Sequence, residues 1–515
     1  MQCEIRFDPR HARRWIATLV GELRQRGISV RLHAADEPPT RFPAVIKLVE
    51  ALEARLYFSE RRLGGCLSAD EIARLASIET QAARADLIIV LTGDPQATGD
   101  AGTHSPDSPV LVPMAEGGAL ETGIAAALLG RRPPRIAVAL HQAGEVSVIV
   151  EGVPAVPEAA VFIRGYETVA ARIVTLVVQA VEHVAGTRRI PVPAGAQSAL
   201  PLAEPRLHEG LAFIAATFAE KIWLKFKRRR SRADRWTVGW REVKGDAVIE
   251  QLEWPSSGYQ WLPDDGQRYY ADPFVFAHNG RRYLFVEEYV YATRRGRLSV
   301  ADWLGDGWSI PRPILERAYH LSWPRVFVHG GEIYMLPESS QARTLELYRA
   351  VDFPDTWEIA AVLATDISLS DPTTIRLNGE SWILAAIVDR PGASSWDGLA
   401  ILHAEGPTGA VRLVSDGACL VDVRSARPGG EIIRVGDEWR RPVQDCALGY
   451  GSALGIVRID ELGDVYRQTV LKRLPPDPAW GAIGVHTLNL ADGIEVIDIN
   501  RGFDIRRRKM PVFPD

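Results

Sequence analysis

Short apolar runs alternate with polar positions along the C-terminal half of the chain, and glycine-containing turns punctuate them at a regular interval. Asp272-Pro273 leads to His278-Asn279-Gly280 and Tyr283-Leu284-Phe285. Trp323-Pro324 leads to Gly330-Gly331 and Tyr334-Met335-Leu336, and Asp371-Pro372 to Asn378-Gly379 and Trp382-Ile383-Leu384. Weaker copies run from Arg427-Pro428 to Gly436-Asp437 and Trp439, and from Val485-His486 to Asp492-Gly493 and Val496-Ile497. Asn-Gly and Asp-Gly accept the positive φ of tight hairpin turns, and the flanking aromatic and β-branched residues suit pleated strands, so each copy predicts a hairpin. Copies recur roughly every 50 residues, a period typical of propeller blades. Five copies predict a five-bladed β-propeller, whose inner strands converge on a central channel. Asp272, Ser322, Asp371 and Arg427, which begin the inner strands, are then expected at one mouth of that channel.

The first 186 residues carry a different pattern, in which strands alternate with helices. Glu4 to Phe7 reads as a strand, Ala12 to Arg26 as an amphipathic helix ending at Gly27, and Ile28 to Leu32 as a second strand. A helix follows over Val45 to Leu56. Ala85 to Thr92 is a continuous apolar run of the kind found in buried parallel strands. A long helix over Val169 to Val184 closes the unit. Such alternation predicts a Rossmann-like α/β sheet, but no Gly-x-Gly-x-x-Gly follows the first strand, so dinucleotide binding there is not expected. Prolines at 191, 193 and 201 mark a linker over 187–235. It contains an apolar helix from about Leu207 to Phe218, then a basic segment with interleaved aromatics. Lys221, Lys225, Lys227, Arg228, Arg229 and Arg230 could meet an anionic membrane surface there, or the segment could be a solvated connecting helix whose aromatics pack on the propeller. The propeller is assigned to 236–505 and a basic tail to 506–515.

At 515 residues the chain is too long for one ordinary core. Its 46% hydrophobic and 24% charged content is that of a globular protein, and a formal charge of −5 offers no general attraction for nucleic acid. Cys3, Cys66, Cys419 and Cys446 form no CxxC pair, so neither a zinc site nor a disulfide framework is expected. The N-terminus has no signal-peptide pattern and no stretch reaches roughly 20 apolar residues. A cytoplasmic location, with peripheral contact at the inner face of the membrane as an option, is the expectation.

Several phrases resemble known families. Asp272-Pro273 and its repeat Asp371-Pro372 are similar to the blade starts of the five-bladed furanosidase-like glycoside hydrolases, such as family 43. Tyr270-Ala271-Asp272-Pro273-Phe274, Phe285-Val286-Glu287-Glu288, Leu321-Ser322-Trp323-Pro324, Met335-Leu336-Pro337-Glu338-Ser339, Arg441-Pro442-Val443-Gln444-Asp445-Cys446, Tyr450-Gly451 and His486-Thr487-Leu488-Asn489 resemble the N-terminal propeller domain of glucosamine inositolphosphorylceramide transferase and its bacterial relatives. In those relatives a formyltransferase-like domain precedes the propeller, and residues 1–186 look similar to it. The formyltransferase Asn and His are absent from the corresponding stretch, Val110 to Gly118, which argues against formyl transfer.

Glycosidic chemistry needs two carboxyl groups flanking the anomeric centre. The resemblance places Asp272 where family 43 enzymes carry a base. Glu338 is the candidate acid, its pKa needing to be raised by burial or a neighbouring carboxylate, and Asp371 a group that orients the sugar or tunes Glu338. An Asp before Pro also caps turns, so blade geometry alone could produce the same repeat. Glu287, Glu288, Ser322, Arg427, Gln444, Asp445, Tyr450, His486 and Asn489 are candidate substrate contacts. Planar donors and aromatic faces suit sugar hydroxyls, and Arg427 suits a phosphate or carboxylate. Arg427 and Asp445 could equally lock blades together as an ion pair. No metal or essential cofactor is expected, and a nucleotide sugar is a candidate donor substrate. The leading functional expectation is a glycosyltransferase-like or glycoside-processing enzyme acting on a carbohydrate or glycolipid in envelope glycan synthesis. A non-catalytic module binding glycan, nucleotide sugar or protein is the alternative, and a sugar N-formyltransferase is disfavoured.

Overall fold

The computed structural model describes residues 1–34, 44–57, 63–76, 85–91, 108–190, 204–228, 235–255, 258–263 and 265–502, without side chains for 44 and 224–228. The expected basic tail, as well as Arg229 and Arg230, lies outside the described residues.

The N-terminal unit is an α/β sheet, although only half of it is parallel. Strands Ser29–Ala34, Gln2–Phe7, Leu87–Val90 and Val110–Ala115 run parallel in that spatial order. Ile136–Gln142 and Glu145–Gly152 then extend the sheet as an antiparallel hairpin. The reason is local: Ala143 and Gly144 take positive φ and close a two-residue turn, which leaves no room for a crossover helix. Helix Phe162–Val184 begins seven residues before the apolar run that predicts it. Its first amides are satisfied by a distant carboxylate, with Phe162 N and Ile163 N donating to Glu53 Oε1 and Oε2 at 3.0 and 2.9 Å.

That helix is buried on nearly every face because it lies between the two units. Arg172 leaves it fully buried and reaches the third blade. There Nε donates to Asp397 Oδ1 (2.9 Å), Nη1 to Asp389 Oδ1 (2.7 Å) and Nη2 to the carbonyls of Ile387 and Ser394. Gln179 Nε2 donates to Ala418 O. The apolar core is continuous across this boundary, running from Ile5 and Leu19 through Val174 to Leu369 and Ile383. Helix Leu207–Arg228 runs without a break from the expected apolar helix into the basic segment. It packs on helix Ala44–Tyr57 through Gly210, where a Cβ would stand 2.1 Å from Val45.

The C-terminal half is a five-bladed propeller. Four blades are hairpin-linked sheets in chain order, starting at Arg268, Ser322, Leu369 and Ile433. The fifth joins both ends of the region: Gly484–Ala491 and Ile494–Asn500 pair with Trp236–Glu242 and then Gln260–Trp261. The register from Asn500↔Trp236 to Ile494↔Glu242 closes the ring by joining the two ends of the region in one blade. Turns Asn279-Gly280, Gly330-Gly331, Asn378-Gly379 and Asp492-Gly493 have positive φ at both residues, the conformation the hairpin pattern requires.

At the opposite ends of these hairpins the inner strands bulge. Register breaks lie between Ala271 and Phe274, Ser322 and Arg325, and Ser370 and Thr373. Asp272, Trp323 and Asp371 take left-handed φ of 47°, 54° and 54°. Each precedes a proline, which has no N–H for the ladder, so the strand departs from pairing there and its backbone amide becomes free to find another partner.

Candidate functional site

The freed amides find carboxylates on the preceding blade. Asp272 N donates to Asp498 Oδ2 (2.9 Å), Trp323 N to Asp272 Oδ2 (3.2 Å), and Asp371 N to Glu338 Oε2 (3.1 Å). Asp371 Oδ2 in turn accepts from Arg427 Nε (2.6 Å) and Gln444 Nε2 (2.7 Å). Between the last two blades Asn489 serves, accepting from Glu431 N, and it also donates to Pro273 O of the first blade. A circle of four acids and Asn489 therefore stitches the blades together around one mouth of the channel, and Asp272, Glu338 and Asp371 are brought together as expected.

Their electrostatics differ from the expected assignment. Burial alone would raise Glu338, but Arg427 and hydrogen bonds from Ser340 Oγ (2.5 Å) and Asp371 N outweigh it and hold the carboxyl below its usual range. A carboxyl held low does not match the raised pKa expected of Glu338 as the acid. Glu287 has the required property. Burial, reinforced by the charges of Asp272, Glu338, Asp498 and Asp371, pushes it well above the carboxylate range. Its Oε1 accepts no hydrogen bond and lies 3.4 Å from His320 Nε2. Asp272 is pushed up to about 6 by burial, against the pull of His486. Its Oδ1 also lacks a hydrogen bond and stands 3.3 Å from His486 Nε2.

His486 is oriented from behind. Its Nδ1 lies 2.6 Å from Asp498 Oδ1, and Asp498 also accepts from Thr487 N at 3.0 Å. Burial disfavours the imidazolium, yet Asp498 and Asp272 together raise the His486 pKa. Asp272, His486 and Asp498 have ligand atoms within 4.8 Å of one another, and they are the one such trio among the described residues able to hold a metal ion.

An aromatic wall surrounds the acids. Tyr450 packs against Trp396, Trp236 and His486, and its hydroxyl accepts from Arg427 Nη2 at 3.2 Å. Tyr269 stacks on Tyr289 with ring centroids 4.8 Å apart, next to Glu287 and Asp272 in the field they create. Ser322 pairs with Glu338 across the second hairpin. Asn489 and Gln444 serve the ring as hydrogen-bond clamps.

Two expected contacts lie elsewhere. Glu288 points to the opposite sheet face from Glu287, fully buried between Arg268 (2.5 Å), Arg297 (2.8 Å) and Ser299 (2.5 Å), because successive strand residues face opposite ways. Asp445 turns away toward Arg473 (3.5 Å) and accepts from Ala447 N, so it forms no pair with Arg427. Arg427's partner is Asp371. Sequence reasoning missed Asp498, His320, Tyr269, Trp236 and Trp396. Of these only Asp498 left a visible trace, as an acid inside the apolar run Val496-Ile497-Asp498-Ile499.

Most of this mouth lies in a stretch with known relatives. Residues 264–474 match the family described as Glucosamine inositolphosphorylceramide transferase 1, N-terminal. Glu287, Glu338, Asp371, Arg427 and Tyr450 fall inside the matched stretch, whereas His486 and Asp498 follow it. The chain is 32% identical over 231 residues to glucosamine inositolphosphorylceramide transferase 1 of Oryza sativa subsp. japonica, covering 43% of this chain and 31% of the relative. The protein of that name from Arabidopsis thaliana is 29% identical over 300 residues, covering 50% and 38%. The chain therefore spans well under half the length of these curated relatives. Among solved structures, an exo-1,5-alpha-L-arabinanase from a bovine ruminal metagenomic library aligns with 46% of this chain and 95% of its own, at 13% identity and a TM-score of 0.32. An alpha-L-arabinofuranosidase from Lactobacillus brevis aligns with 47% and 86%, at 12% identity and a TM-score of 0.34.

Proposed function

We propose that the propeller mouth is the active site of a glycosyl-transferring enzyme of glycolipid synthesis. The observation that carries the reading is the pair of buried carboxylate oxygens left without hydrogen bonds, Glu287 Oε1 and Asp272 Oδ1, facing one mouth. Glu287, holding a proton, protonates the leaving group. Asp272, backed by His486 and Asp498, removes a proton from the acceptor hydroxyl or supplies negative charge to the oxocarbenium-like centre. Tyr450, Tyr269 and Trp396 offer faces for the sugar, and a nucleotide sugar is the proposed donor. The names of the matched plant proteins support an inositolphosphorylceramide-type acceptor, with Arg427 at the mouth as the group suited to its phosphate.

Purified chain should be assayed for glucosamine transfer from a nucleotide sugar to an inositol-phosphate glycolipid, and for release from aryl glycosides. Glu287→Gln and Asp272→Asn should each lower turnover about 100-fold or more. Turnover that survives both substitutions would refute the assignment. The ring of blade-to-blade hydrogen bonds favours a second reading, in which Asp272, Glu338 and Asp371 are structural and the mouth binds glycan without reacting. Sugar binding without turnover in the parent protein would select it. The formyltransferase likeness of residues 1–186 rests on the strand and helix pattern alone, and formyl transfer is not proposed.

A further inference from the structure

His320 lies on the connection between the first and second blades, with its ring beside Glu287. A backbone amide can only donate, so the bond from Gly296 N to His320 Nδ1 (2.9 Å) leaves Nδ1 unprotonated and puts the ring hydrogen on Nε2. That nitrogen is the one 3.4 Å from Glu287 Oε1. Two further bonds fix the connection. Gly296 O accepts from Leu321 N (3.1 Å), and His320 N donates to Gln341 Oε1 (2.6 Å) in the same turn whose Ser340 Oγ donates to Glu338. Gly296 pairs with Tyr289 across the ladder and so shares a sheet face with Glu287, two residues away. A Cβ at 296 would stand 2.6 Å from His320 Cε1 and 2.7 Å from Glu287 Oε1, so glycine is what admits both side chains. Burial lowers the imidazole pKa against the pull of Glu338, which keeps the ring neutral above pH 7. A second proton at Nδ1 would break the Gly296 bond, so the ring is built as a donor and not as a proton relay.

We propose that His320 is a positioning residue for Glu287, its Nε2–H meeting Oε1 so that the transferable proton sits on Oε2 and the charge left after transfer has a donor already in place. The inference rests on the assignment of Glu287 as the proton donor. When the Oε2–H bond breaks, the proton goes to the leaving oxygen and the electron pair stays on the Glu287 carboxyl. The negative charge spreads to Oε1, where the 3.4 Å contact tightens into a charge-assisted hydrogen bond from Nε2–H. His320 keeps its own proton throughout. Because this bond strengthens only as charge develops, it acts on kcat and leaves KM nearly untouched.

Two readouts on the full chain test it, and the first needs no turnover. Nitrogen NMR of isotope-labelled histidine, between pH 7 and 9, should show one ring with the paired signals of the Nε2–H tautomer that vanish in His320→Gln. An Nδ1–H tautomer or an imidazolium at that position overturns the proposal whatever the activity. In the transfer assay His320→Phe, which fills the space without a donor, should lower kcat about 10- to 100-fold with KM within about two-fold of the parent's. His320→Gln, whose amide can accept from Gly296 N and donate to Oε1, should recover most of that loss. Equal kcat in the parent and His320→Phe overturns the proposal, and so do equal losses in the two variants, which mark a purely structural role. Melting temperatures within a few degrees of the parent's show that both variants fold. A parent without turnover, or one whose Glu287→Gln variant keeps it, removes instead the assignment of Glu287 and this inference with it.

Discussion

At the scale of single residues, the mouth is governed by which carboxyls are satisfied and which are not. Glu338 and Asp371 spend their oxygens on neighbouring blades, while Glu287 and Asp272 each keep one free. The pH dependence of transfer should follow. Asp272 must be ionised to act as a base, so kcat/KM should rise as pH passes about 6, and it should fall again where Glu287, held well above the usual carboxylate range, loses its proton. Glu287→Gln should remove the falling limb along with most of the activity, and a pH–rate profile of parent and variant checks both. Asp445 offers a stability test away from the chemistry. Burial pushes it up to about 6, so the folded state binds its proton more tightly than the unfolded state does. Its contribution is fully present below the unfolded pKa and is lost as pH rises through about 6. Asp445→Asn should therefore leave stability unchanged near pH 4 and raise it by up to about 3 kcal/mol at pH 8, read from chemical denaturation at the two pH values.

At the scale of elements, the bulge before each proline is the unit that makes the site. It turns an amide off the ladder and onto the carboxylate of the previous blade, so ring closure and acid placement share one set of contacts. The fourth blade does this differently. Its inner strand is interrupted, and residues 427–431 press against the fifth blade, where Gly430 has φ +155° and its Cβ position lies 1.9 Å from Leu488 O. Gly430→Ala would drive a methyl into backbone at a φ that L residues avoid. A loss of about 2 kcal/mol or more is expected in urea denaturation, with a parallel loss of sugar binding as Arg427 shifts.

At the scale of the whole molecule, the two units are joined by a buried charge. Arg172 has no exposure, and Asp397 and Asp389 are nearly as dry. Arg172→Leu would leave Asp397 without its cation and Asp389 with Arg390 Nε at 3.7 Å, at a cost of about 3–5 kcal/mol. Because the charge sits on the boundary, calorimetry of this variant should show the α/β unit and the propeller melting separately where the parent melts in one transition. The double change that also replaces Asp389 and Asp397 with Asn should recover part of the loss.

What the sequence determined by itself was local and periodic. The Asn-Gly and Asp-Gly turns, the prolines and the alternating strands carry their conformational preferences within a few residues, so five hairpins and hence five blades could be read from them. Asp272, Glu338 and Asp371 were visible because they recur at fixed offsets from those turns. The division of labour among the acids was decided only by the tertiary structure. A carboxyl's proton affinity depends on burial and on charges brought from other blades, and nothing near Glu287 in the chain announces that Asp272, Glu338, Asp371 and Asp498 will surround it. The neighbouring acids Glu287 and Glu288 show the point: adjacent in sequence, they are separated by the pleat into a mouth that holds a proton and a salt-bridged core that gives one up.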